Sequence, residues 1–155
     1  MPSFYSLAGF RVRIADGVAL GVRPMFVHTL TDSQQNALLS LAKQFVHADA
    51  HLAEAEENVL ELLAAEAGRD PAEEIADGEL DALLASFDTR QSRAVVLLEL
   101  IGVGHADDRF CPAESALLGT IAGKLGVSTD DLGAMESWVQ RQLSLAREVG
   151  RFWED

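Results

Sequence analysis

Four carboxylates, Asp49, Glu56, Asp107 and Glu114, fall in two copies of one pattern: an Asp, six residues, then a Glu, with an apolar residue, Leu52 or Phe110, three after the Asp. Each also continues an apolar helical stripe. Asp49 extends Leu38, Leu41 and Phe45 by one more step of four, and Asp107 extends Leu100 and Val103 in the same way. Glu56 precedes Val59, Leu60 and Leu63 by three, four and seven residues, as Glu114 precedes Leu117, Leu118 and Ile121. A carboxylate on a core-facing stripe is costly unless it is paired, hydrogen-bonded or metal-bound.

Two compensations suit these positions. In the first, Cys111 caps a helix whose first residue is Pro112, and Glu114 in third place bonds back to the cap, with Glu56 doing the same from Ala53. Each Asp then accepts N–H groups from the helix start, where the dipole favours negative charge. In the second, the two pairs converge on a divalent cation, Ca²⁺ or Mg²⁺, because hard cations take carboxylate oxygens. The two are compatible. His47 and His105, two residues before each Asp, would admit a transition metal, but that spacing turns them off the Asp face and a structural role is expected.

The carboxylates belong to a longer repeat. Residues 47–68 align without gaps on 105–126 at an offset of 58, with identities at His47/His105, Ala48/Ala106, Asp49/Asp107, Ala55/Ala113, Glu56/Glu114, Leu60/Leu118, Ala64/Ala122 and Gly68/Gly126. This is a duplicated helical hairpin.

The elements that position these residues are helices from residue 31 onward, since apolar residues recur at steps of three and four. The first opens at Thr31 with Gln34 in capping-box position, and the second runs from Ala53 to Ala67 with Gly68 as its stop. Asp70-Pro71 opens a weaker helical stretch, interrupted near Gly78, that continues through Leu80, Leu83 and Leu84. A central helix follows Asp88 with Val96, Leu100 and Val103 on one face. The fifth starts at Cys111-Pro112 and stops at Gly126, and the last starts at Ser128 and carries Leu132, Met135, Val139, Leu143 and Ala146. Phe152-Trp153 at its end is expected to fold back onto the core. Residues 1–30 differ. Phe10 to Val22 alternates around Asp16-Gly17, which predicts a β-hairpin or extended arm that must pack on the helices or on another protein. The expected fold is therefore an all-α bundle of about six helices over residues 31–155, preceded by an arm over residues 1–30.

Composition narrows the function. The net charge of −13 is uneven: residues 1–30 hold Arg11, Arg13 and Arg23 against Asp16, so the acidity lies in the body. Such a surface repels phosphate backbones, and no nucleic-acid partner is expected. One cysteine, Cys111, permits no intrachain disulfide and fits a reducing cytoplasm. The start of the chain lacks the cationic segment of a secretion signal, and no stretch is apolar for long enough to insert in a bilayer. An EF-hand loop and a Glu-x-x-His di-iron pair are both lacking, and Gly119 to Lys124 is one residue short of a phosphate loop. His28, His47, His51 and His105 have no nucleophile motif around them, so no enzyme is expected, and a carboxylate-pair hydrolase is the weakest reading.

The twin Asp-x6-Glu units, each closing one helix and opening the next, resemble the TerB-like family associated with tellurite resistance. The match runs through His105-Ala106-Asp107-Asp108-Arg109-Phe110 to Glu114 and then Lys124-Leu125-Gly126-Val127-Ser128, with Ala48-Asp49-Ala50-His51-Leu52 to Glu56 as the first copy. It covers roughly residues 31–149. Where the family carries a Gly after each Asp, this chain has Ala50 and Asp108. The resemblance implies an all-α fold, an acidic cluster for a divalent metal, and work in membrane-associated stress or resistance complexes, reached at the inner membrane through a protein partner. The alternative is a structural adaptor or accessory subunit docking a larger complex through the arm.

Overall fold

Thr31 and Thr89 begin the two halves of the molecule in the same way. Each hydroxyl accepts the backbone N–H three residues on, and the side chain there, Gln34 or Ser92, accepts the N–H of the cap. Such a reciprocal box satisfies donors that a helix start otherwise leaves unpaired. From these caps run α1 (Asp32–Val46) and α4 (Arg90–Gly104), each followed by a partner helix, α2 (Glu54–Glu66) and α5 (Pro112–Lys124). The computed structural model describes residues 3–7, 10–14, 24–48, 54–71, 73–105 and 111–152.

Every boundary of the first hairpin recurs 58 residues later in the second, so the duplication spans whole helical hairpins from Thr31 and Thr89, well beyond the residues whose identities reveal it. Both hairpins also end alike. Gly68 and Gly126 each take φ of 71°, and the residue after each donates to a carbonyl one turn back, Arg69 to Ala64 and Val127 to Ala122. This left-handed stop favours glycine. A Cβ at either position meets nothing within 4 Å, so the penalty for Gly68→Ala or Gly126→Ala is conformational alone. Each substitution should cost about 1–2 kcal/mol, readable as a lower urea midpoint with unchanged slope.

The helix α4 is central, packing against α1, α2, α5, the last helix α6 (Thr129–Gly150) and a 3-10 turn at Val27–Thr29. Contacts between the hairpins are reciprocal: α1 touches α5 as α2 touches α4. The core at this junction holds Leu38, Leu41, Phe45, Leu63, Val96, Leu100, Ile101, Leu118 and Ile121, all essentially without solvent contact. Among the described residues no helix is long and apolar enough to cross a membrane.

The outer faces of α1 and α4 differ, and this corrects one expectation. The described residues after Asp70-Pro71 are not helical; apart from a bend or turn they are irregular until the short α3 (Leu80–Leu84). Their carbonyls find donors on α1 instead: Ser40 donates to Ala76, Lys43 to Ile75 and Gln44 to Gly78. Side chains of a neighbouring helix replace the bonds a local helix would have made, and Gly78 and the run of acids offer little helical preference to oppose them. On α4 the positions at the offset of 58 are Leu98, Ile101 and Gly102, and α4 packs against α6.

One further expectation shifts. Phe152 is 83% exposed, so it does not fold back onto the core; Trp153 lies outside the described residues. The strands β1 (Ser3–Leu7) and β2 (Phe10–Ile14) pair antiparallel, ahead of the stretch centred on Asp16-Gly17, and residues 15–23 lie outside the description.

Candidate functional site

The repeated carboxylates fall between the end of α1 and the first turn of α2, and between the end of α4 and the first turn of α5. His47 and His105 are the C-caps that close the first helices, each folding its N–H back to the carbonyl four residues earlier, of Lys43 or Ile101. The exposed His47 ring also donates from Nδ1 to the Lys43 carbonyl at 2.7 Å, a local capping role. Past these caps, Asp49 and Asp107 lie outside the described residues.

Glu56 and Glu114 occupy matching places, each the third residue of its helix. The side chain of Glu56 is not among those described. Glu114 is, and it is only 1% exposed. Cys111 is the cap of α5 with Pro112 in the first turn, and its sulfur accepts the Glu114 N–H at 3.3 Å. That assigns the half-buried thiol a structural contact. The extended backbone of Cys111 and the fixed φ of Pro112 aim the first turn of α5 so that Glu114 points inward, beside Leu118 and Ile121 on the same face. Of the four sequence-derived positions, this one is placed in the interior. Among the described residues no three His, Cys, Asp or Glu side chains are grouped to hold a metal ion.

A fifth carboxylate, Glu99, went unnoticed in the sequence reading. It sits in α4, 3% exposed, and its Oε1 accepts two backbone N–H groups, from Met25 at 2.8 Å and Phe26 at 2.6 Å. Burial pushes its carboxyl up from the ordinary 4.5 to about 7; the Phe26 and Met25 N–H groups pull the other way, and Glu66 at the end of α2 adds to the rise. The repeat makes its position informative. At the offset of 58, Glu99 stands where the first hairpin has the fully buried Leu41. One copy fills this site with a leucine in the core, and the other uses a carboxylate to anchor the root of the N-terminal arm. Phe26 completes the anchor with its ring against Trp138 of α6, centroids 6.0 Å apart. A signal existed: between Arg93 and His105 the only charged residue is Glu99.

No family model, curated protein or solved structure matches this chain. Its chemistry therefore has to be read from its own residues. One cavity of about 280 Å³ opens where α3, α4 and α5 meet, lined in part by Asp81, Asp88, Arg93 and Lys124. Both of its cations are engaged: Lys124 pairs with Asp81 at 2.7 Å, and Arg93 Nε donates to the Phe87 carbonyl at 2.9 Å. With Asp81 and Asp88 beside the two cations, the lining carries no excess positive charge for an anion.

Proposed function

We propose that the chain is a non-enzymatic, TerB-like helical protein of stress or tellurite-resistance type, in which Asp49, Glu56, Asp107 and Glu114 take a divalent cation. The observation that supports this is the burial of Glu114 in the first turn of α5, in a frame that recurs at Glu56 with every helix boundary in register. A buried carboxylate needs a compensating charge or hydrogen bonds. An all-oxygen donor set of this kind favours Ca²⁺ or Mg²⁺ over softer metals, and the cation would neutralise charge concentrated at the helix starts. Calorimetric titration with Ca²⁺, Mg²⁺, Mn²⁺ and Zn²⁺ tests it. Saturable binding is expected for the wild type, weakened at least about tenfold in Glu56→Gln combined with Glu114→Gln, a loss of roughly 1.4 kcal/mol or more. A wild-type chain that binds none of the four ions would end the proposal.

A second reading, a structural adaptor or accessory subunit of a larger membrane-associated complex docked through residues 1–30, draws support from Glu99. A buried carboxylate that fixes the root of the arm gives that arm a defined point of departure.

A further inference from the structure

The short elements that precede the two helical hairpins obey the same pseudo-symmetry as the hairpins themselves. The helix α3, ahead of Thr89, packs on α1 and α5; the 3-10 turn at Val27–Thr29, ahead of Thr31, packs on α4 and α2. Each therefore lies on the first helix of the other hairpin and on the second helix of its own. In those first helices, α1 and α4, the positions 58 residues apart include Leu41 and Glu99, both buried. One copy fills this place with leucine, so the architecture itself demands no charge there.

In the other copy a carboxyl ties the short element down, since Glu99 Oε1 accepts the N–H groups of Met25 and Phe26 at 2.8 and 2.6 Å. The rest of the segment is held by contacts that do not titrate. Gln35 Nε2 donates to the Val27 and Leu30 carbonyls, the Val27 and Leu30 side chains are buried, and the Phe26 ring meets Trp138 of α6. Release of this segment is a local event, because the Thr31–Gln34 box closes the start of α1 without it.

The surroundings of Glu99 oppose its ionisation. Among the described residues no Lys, Arg or His forms an ion pair with it, and the charged group that acts on it, Glu66 at the end of α2, is another acid. The other packed helices, α1, α5 and α6, bring no charge to bear, and His28 in the 3-10 turn is exposed. Burial accordingly raises the carboxyl from 4.5 to about 7, against the pull of the Phe26 and Met25 N–H groups. Once the segment lifts, water reaches the carboxylate and the ordinary value returns. Closure is then fully favoured below 4.5, where both arrangements hold the proton, and loses free energy as pH rises to about 7.

We infer that residues 24–30 form a pH-gated latch: protonated Glu99 holds the root of the N-terminal arm on α2 and α4, and ionisation lets this segment lift while the helices stay folded. The inference rests on neither the cation site nor the adaptor reading. It adds a control over the point from which the arm departs, fixed in mild acid and released more often as the solution becomes alkaline.

Native-state hydrogen exchange in the full chain tests it. After allowance for intrinsic rates, the opening constant of the Met25 and Phe26 amides should rise about 70-fold from pH 5 to pH 8 in the wild type and stay within about twofold in Glu99→Gln. At each pH these amides should also open at least about tenfold more often than those of Leu100 and Ile101 in the core of α4. A wild-type constant that does not change with pH would overturn the inference. So would opening of Met25 and Phe26 equal to that of Leu100 and Ile101, since the segment would then leave only when the whole fold unfolds. An equal rise in Glu99→Gln would assign the response to another group and overturn it as well. Both wild-type comparisons decide the matter even if the variant fails to fold.

Discussion

Between about pH 5 and pH 8 the wild-type chain should lose about 2–3 kcal/mol of unfolding free energy relative to Glu99→Gln. The sign follows from the direction of the shift. Burial, opposed by the Phe26 and Met25 N–H groups and assisted by Glu66, raises the Glu99 carboxyl from 4.5 to about 7. Below the ordinary value both the folded and the unfolded chain hold this proton, and the stability is fully present. As pH rises from 4.5 to about 7 the unfolded chain ionises freely, while the folded chain must either keep a proton that solution would take or place a charge in its interior. The stability is therefore lost across that interval. Glutamine has no proton to release and keeps an oxygen for the two N–H groups at 2.6 and 2.8 Å. Other carboxylates are common to both chains and cancel in the difference. Urea unfolding of the two proteins at pH 5, 6, 7 and 8 measures it. Parallel profiles would show that Glu99 titrates no differently folded and unfolded.

Glu99 also shows where sequence reading stops. The helices were legible because their punctuation is chemical and local: Thr31 with Gln34, Cys111-Pro112, Ser128, and the glycines at 68 and 126 mark ends that the structure keeps to within a residue or so. The stripe of Val96, Leu100 and Val103 in a central α4 followed from periodicity in the same way. The stretch from Asp70 to Glu79 did not, because its conformation is decided by Ser40, Lys43 and Gln44 reaching across from another helix. Glu99 was missed because identities between the copies are dense only after His47. In the first helices they thin to positions such as Thr31/Thr89 and Leu39/Leu97, and the substitution of Leu41 by an acid is visible only once the helix boundaries fix the register. Of the four carboxylates read as a site, the burial of Glu114 followed from its stripe. The two aspartates lie outside the described residues, as does the side chain of Glu56. Phe152 was misjudged because an aromatic at a helix end has the same local signature whether its cover is the core or a separate element.

The same frame makes Phe45 the most damaging single truncation near the repeated turns. Its ring is fully buried, one residue before the end of α1 and four before Asp49. Phe45→Ala should cost about 3–5 kcal/mol, the loss from burial plus the cavity left behind. For a domain whose total stability is of the order of 5–15 kcal/mol, that is a large share, and the urea midpoint should drop steeply at pH 7. The second copy has only Val103 at this position, also buried, so the two hairpins are not equally dependent on a large side chain there. The weakened variant is also a sensitive reporter of the cation. A ligand that binds only the folded chain adds about 2.7 kcal/mol at a hundred times its Kd. Ca²⁺ or Mg²⁺ should therefore restore much of what Phe45→Ala removes, and should restore nothing when Glu56→Gln and Glu114→Gln are added. Equal rescue with and without the carboxylates would place any ion elsewhere on this acidic surface, and no rescue at saturating ion would mean that burial of Glu114 is compensated within the fold.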